Sequence, residues 1–568
     1  MGNISRRYLK TGTLVALVAL SACPPGPAQG LGVDVEVFPQ QVIGPISPYV
    51  FGAGIDAKTN PLRAPADLAK VEADIAESGL RIARYPGGFV FNRDDHRGSW
   101  ANFYWQDHIG QNPERHPTEV YDLDTFVQLC ERFGIEPLMQ INFVGEPEES
   151  VRGYIEYLVG EGDVDGDGVD WAARRAANGR PEPYKIRYWQ LGNEVHSYPQ
   201  GFHENAAGAA EYARALERLV PIIRRMAPGA KILVPFINVE RPITGMKLEP
   251  GAPDINFSTS SEFAVAFLEN LRVEVDYFDW HFYAANGWGG DWPYLGTDDE
   301  WKHYYCWGTK FRECYEQVMK LAAERCRQQP PPKIIVGEWS GDWTGAIFMA
   351  YEQSFRGSLM RTMSSAVFLA DILMFLMEKS VPSEGIHAAF WHTFCNDAQA
   401  LFSIHTTREQ GISYKGKCTD EGYGFRMPVY WAFKLLSEQR GEELVASGLT
   451  GDNVIAAPPD GLYNDPQYAF DRITHCASRS GDRVYLALLN KDAHEPVQVR
   501  IRIRDTALAP AVEAYEVGAE SYLTENTIAA PDAVTLQGPK AWTEPDPRSM
   551  TYELRPNTLA VLCYRLEG

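Results

Sequence analysis

From about residue 45 to residue 440, short apolar runs alternate with longer amphipathic ones. The short runs are almost continuously apolar, as parallel strands covered on both faces must be. In order they are "YVFGAGI", "LRIARYP", "EPLMQINF", "IRYWQLGN", "AKILVPFI", "VDYFDWHFY", "KIIVGEW" and "IHAAFWHTF". Eight strand–helix units in succession predict a (β/α)8 TIM barrel. A doubly wound open sheet is the alternative, but no glycine-rich phosphate loop follows the first strand.

Two segments do not fit the barrel pattern. Residues 33–42, "VDVEVFPQQV", alternate like a strand, and after about residue 442 short alternating runs are separated by turn residues. This second region predicts an all-β sandwich at the C-terminus. We therefore divide the chain into a strand at 33–44 that joins the sandwich, a barrel at 45–441 and a β-sandwich domain at 442–568.

The charge and the N-terminus indicate where the protein works. The formal net charge is −22, from 53 basic and 75 acidic residues, and no basic stripe is visible to bind nucleic acid. Arg6, Arg7 and Lys10 precede an apolar run that is too short to span a bilayer. "LSAC", which ends at Cys23, resembles the bacterial lipobox.

This layout predicts a lipoprotein signal peptide at residues 1–22, a lipid on the Cys23 sulfur and a tether at 23–32. The expected location is the bacterial cell envelope, with membrane contact only through the lipid anchor; ordinary secretion is the alternative. The sequence leaves the oligomeric state open.

Polar and aromatic residues collect where the predicted barrel strands end. Active sites of such barrels lie at the C-terminal ends of the strands. The side chains at those ends are Arg84 on the second strand, Asn193 and Glu194 on the fourth, His281 and Tyr283 on the sixth, Glu338 on the seventh and Trp391 on the eighth. We expect them to meet at one rim.

Glu194 and Glu338 lie on the fourth and seventh strands, nearly opposite each other across the mouth. Two facing carboxyl groups are what glycoside hydrolysis requires, one protonated to assist the leaving oxygen and one ionised to attack the anomeric carbon. We expect the charge of Arg84 to keep Glu338 ionised, Tyr283 to position Glu338 by a hydrogen bond, and His281 to lie nearer Glu194.

The motifs "YWQLGNE", "HFY" and "GEW", in this order, resemble glycoside hydrolase clan A. Within that clan, "ARYPGG" and "AANGRPEPYKIRYWQLGNE" are similar to family 51, the α-L-arabinofuranosidases, over about residues 33–566. The resemblance implies that Glu194 is the acid/base, Glu338 the nucleophile and Asn193 the partner of the substrate's 2-hydroxyl. It gives supporting substrate-binding positions to Arg84, His281, Tyr283 and Trp391. The implied reaction is a retaining double displacement, with carboxyl groups roughly 5 Å apart and no metal or cofactor in the chemistry.

Two positions depart from the family pattern. Asp56 stands where the family usually has Glu, and Phe89 follows "PGG" where it usually has Asn. Both family positions contact the furanose ring, so the sugar is left open between arabinofuranose, another pentose and a pyranoside. A family 39-like β-xylosidase or an endo-acting clan A glycanase is the alternative activity. A non-catalytic glycan-binding lipoprotein is the alternative of another class, and a lyase is a third.

Two loops carry further candidates. "DVDGDGVD" places Asp163, Asp165 and Asp167 at the alternate positions of a calcium-binding loop. Arg174 occupies the twelfth position, where such loops carry Glu, so a solvated acidic turn is the alternative to a structural Ca²⁺ site. A second loop carries several aromatic residues that predict a sugar-stacking wall, or else a small core of the loop itself: Trp288, Trp292, Tyr294 and Trp301. Asn396 or Asp397, after the eighth strand, is a further candidate for polar contacts.

The chain has nine cysteines, eight of them besides Cys23. Cys130 lies in a helical pattern and is expected to be a buried free thiol. Cys306 with Cys314, and Cys395 with Cys418, are the pairs nearest in sequence within segments that read as loops, and the oxidising compartment would permit disulfides.

Overall fold

The computed structural model describes residues 32–55, 65–87, 104–110, 122–144, 146–196, 202–203, 205–238, 261–285, 300–342, 361–396, 401–403, 425–457, 469–527 and 529–567. Cys23, the signal peptide and nearly all of the tether lie outside these ranges and remain predictions. Within the described ranges, no helix has the length and apolar character needed to cross a bilayer.

Eight parallel strands, β2 to β9, form a closed barrel in chain order, and β9 pairs with β2. Their bounds are β2 Gly52–Gly54, β3 Ile82–Tyr85, β4 Glu136–Ile141, β5 Tyr188–Leu191, β6 Lys231–Asn238, β7 Tyr277–Ala285, β8 Lys333–Asp342 and β9 Ile386–Trp391. Each lies within or overlaps one of the eight apolar runs in the sequence. The predicted (β/α)8 barrel is confirmed.

Helices lie between and after these strands. They are α1 Pro65–Glu77, α2 Leu123–Phe133, α3 Glu148–Val159, α4 Trp171–Ala177, α5 Ala206–Met226, α6 Ser261–Asn270, α7 Glu300–Tyr305, α8 Trp307–Arg325, α9 Met363–Lys379 and α10 Pro428–Glu438. Short 3-10 helices span Pro48–Val50 and Trp105–His108. Helix α2 shows how the local sequence sets its ends. The Asp122 side chain accepts a hydrogen bond from the Thr125 amide at the N-terminus, and Gly134 adopts φ 67° at the C-terminus.

The alternation within each barrel strand divides its side chains between the barrel interior and the helices. Inward-facing Ile82, Leu138, Tyr188, Leu233, Ile335, Ala388 and Phe390 form one buried cluster that fills the lower barrel. Residues of the opposite phase, such as Trp189 and Trp280, pack in the larger core between barrel and helices. Because the lower interior is filled by apolar side chains, the polar groups inside the barrel lie above it, toward the mouth.

The second unit is a nine-stranded sheet, ordered β20-β19-β22-β17-β16-β13-β1-β18-β21. Its strands are β1 Gly32–Pro45, β13 Glu443–Gly451, β16 Ile473–Ser480, β17 Arg483–Asn490, β18 Val497–Ile503, β19 Leu508–Gly518, β20 Gln537–Thr543, β21 Ser549–Leu554 and β22 Thr558–Leu566. Five shorter strands lie outside it, β10 Cys395–Asn396, β11 Phe402–Ser403, β12 Phe425–Arg426, β14 Val454–Ala456 and β15 Ala469–Asp471.

The N-terminal strand and the two sheet edges give this unit its shape. Strand β1 lies between β13, to which it is antiparallel, and β18, to which it is parallel. Trp542 on one edge strand stacks on Tyr552 of the other edge strand, with ring centroids 6.4 Å apart. The sheet therefore folds back on itself around one apolar core, as a sandwich does.

A buried group of charges joins the barrel to the sandwich. The Asp371 carboxylate on α9 accepts from Arg312 of α8 at 2.9 Å, from Lys491 after β17 at 3.0 Å, and from the Thr474 hydroxyl of β16 at 2.6 Å. Asp371 is 1% exposed and Lys491 2%. Burial by itself raises the pKa of Asp371, but the two cations outweigh it and hold that pKa well below its usual value.

Two expectations about this region were wrong. Cys306 and Cys314 do not lie in a loop: Cys306 directly precedes α8, Cys314 is inside it, and both side chains are buried. The helical pattern that begins at Trp307 starts earlier than the sequence suggested. Trp301 is not a sugar-stacking residue, because it is 2% exposed and packs edge-on against Phe470 of the C-terminal region at 6.0 Å.

Among the other cysteine and loop predictions, one is confirmed and others lie outside the described residues. Cys130 lies on α2 as a buried free thiol, which confirms that prediction. Cys418 and Asp397 lie outside the described residues.

Asp371→Asn should destabilise the junction of the two units. The substitution leaves Lys491 buried without its full counter-charge, and breaking one partner of a buried pair costs about 3–5 kcal/mol. The measurement is the midpoint of thermal unfolding, which should fall by several degrees.

The control is Glu324→Gln, which removes an exposed pair with Lys320; exposed pairs contribute little, so the midpoint should not change. Equal unfolding midpoints for the two variants would contradict the proposed contribution of the buried Asp371 group to stability.

Candidate active site

Strand β7 shows how the mouth acquires its polar groups. In "YFDWHFYAA", Phe278, Trp280 and Phe282 pack outward in the core between barrel and helices. The alternate residues Asp279, His281 and Tyr283 therefore point into the barrel. All three are almost completely buried. One strand thus delivers a column of three polar side chains from mid-barrel to mouth.

The Glu338 carboxylate is held by two donors and is 5% exposed. Arg84 Nη1 donates to Glu338 Oε1 at 2.7 Å, and the Tyr283 hydroxyl donates to Oε2. Burial alone raises the pKa of Glu338, but His281, Arg84, His392 and the Tyr283 hydrogen bond together hold it well below its ordinary value. Glu338 is therefore ionised, with the interactions from Arg84 and Tyr283 that the sequence led us to expect.

Glu194 is presented by a tight turn after β5. Gly192 adopts φ +86°, and a Cβ there would lie 2.4 Å from Val195 Cγ1, so no larger residue fits. Glu194 itself has φ 44°, a conformation that L residues other than glycine rarely adopt. This backbone strain is concentrated at the residue whose side chain must reach the mouth.

Glu194 sits in a different environment from Glu338. Its side chain is 14% exposed, and His281 Nδ1 lies 2.9 Å from its Oε1. Burial raises the pKa of Glu194, but the hydrogen bond and charge of His281 outweigh burial and leave that pKa below its ordinary value. Arg84 thus pairs with Glu338, whereas His281 lies against Glu194.

The two carboxylates are close enough to act on the same glycosidic bond. One oxygen of Glu194 and one of Glu338 lie within 4.8 Å of each other. Retaining glycosidases place their carboxyl groups about 5–5.5 Å apart, and inverting ones leave room for a water at about 6.5–9.5 Å. The observed spacing fits the retaining geometry.

His281 stands between the acidic groups. Its Nδ1 is also 3.6 Å from Glu338 Oε2, and its Nε2 is 3.2 Å from Asp279 Oδ2. Burial lowers the pKa of His281, but the surrounding carboxylates reverse this and raise it to about 10. His281 is thus a cation at neutral pH.

A layer of polar residues beneath the mouth escaped the sequence reasoning. Arg84 Nε donates to Gln190 Oε1 at 2.9 Å, and Gln190 Nε2 donates to Asp279 Oδ2 at 2.8 Å. Gln140 accepts from the Gly87 amide at 2.8 Å. Each is the polar residue within an apolar strand, and a buried polar group needs partners there. That signal was available in "LMQIN", "YWQLG" and "YFDWH".

Of the remaining substrate-binding candidates, one lies in the site, one lies in the core, and the others fall outside the described residues. Asn193, 1% exposed, accepts a hydrogen bond from Arg84 Nη2, so it lies in the site. Trp391 is fully buried and packs edge-on against Trp339 at 4.9 Å, with both rings in the core shared by barrel and helices. Its contact with substrate remains a prediction. Asp56, Trp288, Trp292 and Tyr294 lie outside the described residues, as does the side chain of Asn396.

The acidic loop is distant from the mouth by topology. It follows α3, which runs back toward the N-terminal ends of the strands. Asp163 accepts from the Gly166 and Gly168 amides, Asp165 from the Asp167 amide and Asp167 from the Val169 amide. The carboxylates thus already close the loop through its own backbone. Arg174 is exposed on α4, so the twelfth-position ligand is lacking, and calcium binding remains a prediction.

The fold and the site together define the class. A (β/α)8 barrel with one glutamate just after β5 and one on β8, whose oxygens lie within 4.8 Å of each other, has the architecture of a clan A glycoside hydrolase. Comparison with known proteins narrows the class further.

Residues 75–291 match the family model described as the alpha-L-arabinofuranosidase 1 domain. A probable alpha-L-arabinofuranosidase C from Aspergillus clavatus is 31% identical over 191 residues, which is 31% of this chain and 35% of that protein. The match thus spans about a third of that relative. An intracellular exo-alpha-(1->5)-L-arabinofuranosidase from Bifidobacterium longum is 23% identical over 403 residues, covering 62% of this chain and 65% of the relative.

Among solved structures, an alpha-L-arabinofuranosidase from Thermotoga maritima in complex with arabinose superposes with a TM-score of 0.71 and 20% identity. The superposition covers 94% of this chain and all of that one. The family 51 enzyme AbfB from Bifidobacterium longum gives a TM-score of 0.70 at 17% identity, with the same coverage. These structures share the fold. The predicted resemblance to the family 51 α-L-arabinofuranosidases of clan A is confirmed by these matches.

Gly192→Ala should impair the site without unfolding the protein. The added Cβ collides with Val195 and displaces the turn that carries Glu194. We expect kcat/KM to fall about 100-fold, as misplacement of a catalytic group by about 1 Å can cause.

The matched control is Gly134→Ala. Gly134 also has a positive φ, +67°, but a Cβ there meets nothing within 4 Å. It should cost about 1 kcal/mol of stability and leave kcat/KM unchanged. Similar kinetics for the two variants would contradict the role assigned to the turn.

Proposed function

We propose that the protein is a retaining glycoside hydrolase, with Glu338 as nucleophile and Glu194 as acid/base, acting on α-L-arabinofuranosides of plant or algal polysaccharide or its oligosaccharides. One observation carries this proposal: two carboxylates have oxygens within 4.8 Å of each other, and one is fixed by Arg84 and Tyr283 while the other is hydrogen-bonded by His281. Such different surroundings assign the two roles.

In the first step, the Glu338 carboxylate attacks the anomeric carbon while Glu194 gives its proton to the leaving oxygen. The glycosidic C–O bond breaks as the bond from Glu338 to the anomeric carbon forms, giving a covalent glycosyl-enzyme. In the second step, ionised Glu194 takes a proton from water, and the resulting hydroxide attacks the same carbon and releases Glu338.

The charge balance of the site supports this division of roles. Three carboxyl groups, Glu194, Glu338 and Asp279, surround two cations, Arg84 and His281. Protonation of one carboxyl group therefore brings this set to zero net charge. Glu338 has Arg84 and Tyr283 as donors to stabilise its ionised form, so the proton is accommodated better on Glu194.

The arabinofuranoside as substrate is supported by the relatives, whose names give that activity. Asp56 and Phe89 leave other glycosides open as substrates, because they replace residues that contact the furanose ring in the family that the chain resembles. A β-xylosidase, an endo-acting glycanase or a glycan-binding protein without catalysis are the outcomes that the experiment below separates.

The test is hydrolysis of nitrophenyl glycosides and of polysaccharides by the wild type, Glu338→Ala and Glu194→Gln. Glu338→Ala should lower the rate on every substrate by at least about 10³-fold, because no covalent intermediate forms. Glu194→Gln should abolish hydrolysis of substrates with poor leaving groups, while the first step on activated aryl glycosides survives, because these leaving groups need no proton.

Glu136→Gln is the matched control. Glu136 begins β4 at the opposite end of the barrel and pairs with Arg187 at 2.9 Å, so activity should be unchanged. Arabinofuranoside turnover lost in Glu338→Ala supports the proposal. If the wild type instead hydrolyses another glycoside and Glu338→Ala loses that activity, the mechanism stands and the substrate assignment changes. A wild-type protein that binds glycans but hydrolyses none would overturn the proposed activity and support a non-catalytic glycan-binding protein.

A further inference from the structure

We propose that Asp279 is a positioning residue that holds His281 as an imidazolium and thereby sets the pH above which Glu194 no longer carries the proton for the leaving group. This inference rests on the proposed function for the role of Glu194. Asp279 lies in the strand run "VDYFDWHFY" but was not among the predicted site residues.

Both nitrogens of His281 face a carboxylate. Nδ1 is 2.9 Å from Glu194 Oε1, and Nε2 is 3.2 Å from Asp279 Oδ2. A neutral imidazole has one N–H, so it can donate to one of these carboxylates while its other nitrogen presents a lone pair. An imidazolium donates to both. Two ionised carboxylates on opposite sides of the ring therefore require the charged form.

Asp279 is fixed in place by its surroundings. Gln190 donates to its Oδ2 at 2.8 Å, and Arg84 in turn holds Gln190 at 2.9 Å. A Cβ at Gly337 would lie only 2.0 Å from Asp279 Oδ1, so the absence of a side chain at Gly337 makes room for the carboxylate. The chain thus provides a dedicated position for an acidic group beneath the histidine.

Asp279 and His281 depend on each other electrostatically. Asp279 is 1% exposed, and in the ranges that the structure describes His281 is the one cation that forms an ion pair with it. A proton lost from His281 would leave a buried anion without a counter-charge, which is strongly unfavourable. The His281 imidazolium is therefore the counter-charge of the Asp279 carboxylate.

Other titratable and charged groups also surround the Asp279–His281 pair. They come from the strands that line the mouth: Glu194 and His196 after β5, Tyr283 on β7, Glu338 on β8, Arg84 on β3 and His392 after β9. Burial lowers the pKa of His196 to about 4, so it is neutral at working pH. Glu338 is engaged by Arg84, which leaves Asp279 as the anion that accepts the hydrogen bond from His281 Nε2.

The consequence concerns the proton between His281 and Glu194. While Asp279 is ionised, that proton resides on His281, and Glu194 becomes protonated only when a second proton arrives at lower pH. If Asp279 is replaced by a neutral amide, a neutral His281 can donate from Nε2 to the amide oxygen and accept at Nδ1. The shared proton then resides on Glu194 at a pH where the wild-type Glu194 is ionised.

The experiment compares kcat/KM of the wild type and Asp279→Asn across pH, on a glycoside with a poor leaving group. The alkaline limb of the variant should move up by about one pH unit, even where its maximum rate is lower. With a dinitrophenyl glycoside, which needs no proton in the first step, the two profiles should have the same alkaline limb. An alkaline limb that Asp279→Asn leaves in place overturns the proposal.

Asp276→Asn is the matched control. Asp276 precedes the same strand at the opposite end of the barrel, where it binds Lys231 at 2.9 Å. Its removal should leave the pH profile as in the wild type. A limb that moves equally in both variants would reflect a general effect of removing a carboxylate, and would also overturn the proposal.

A measurement on the wild type avoids dependence on any variant's folding or activity. With ¹⁵N-histidine labelling, His281 is assigned among the 12 histidines by its absence in His281→Gln. At pH 8 it should show two protonated ring nitrogens, and in Asp279→Asn only Nε2 should be protonated. A neutral wild-type His281 overturns the proposal. Failure of the proposed function shows separately, as a wild type that hydrolyses none of the glycosides.

Discussion

The confinement of five ionisable groups in the upper barrel governs the rest of the site. Glu194, Glu338, Asp279, Arg84 and His281 are removed from most of the water, where unpaired charges are very unfavourable. The observed arrangement gives the arginine to Glu338 and the histidine to the other two carboxylates. One more proton balances the set, and the site is arranged so that this proton can be delivered at Glu194.

The fold supports this concentration of charge. Apolar side chains fill the lower barrel, so the polar layer is supported from below and water is excluded from that side. The second unit is joined to the barrel helices through Asp371, which is distant in sequence from the site residues and holds its own two cations. The two buried charge groups are separate, so the junction can be weakened without rearranging the mouth.

The sequence predicted the barrel because its signal is periodic and repeated: eight apolar runs of strand length, with amphipathic helices between them. It predicted Glu194, Glu338, Arg84, His281 and Tyr283 because each stands near or just after the end of an apolar run in the sequence. It did not predict Gln190 or Asp279, which lie deeper within those runs and become intelligible only when neighbouring strands bring them together. Trp301 failed for a similar reason: an aromatic residue in a loop-like stretch packs either on sugar or on protein, and only its contact with Phe470 decides between them.

The measurement that tests the account most directly is mass spectrometry of a trapped intermediate. The enzyme is incubated with an activated 2-deoxy-2-fluoro glycoside, which forms the glycosyl-enzyme faster than water removes it, and is then digested with a protease. The account predicts a glycosyl adduct on the peptide that contains Glu338, at that residue. An adduct on Glu194, or steady turnover with inverted stereochemistry and no adduct, would contradict it.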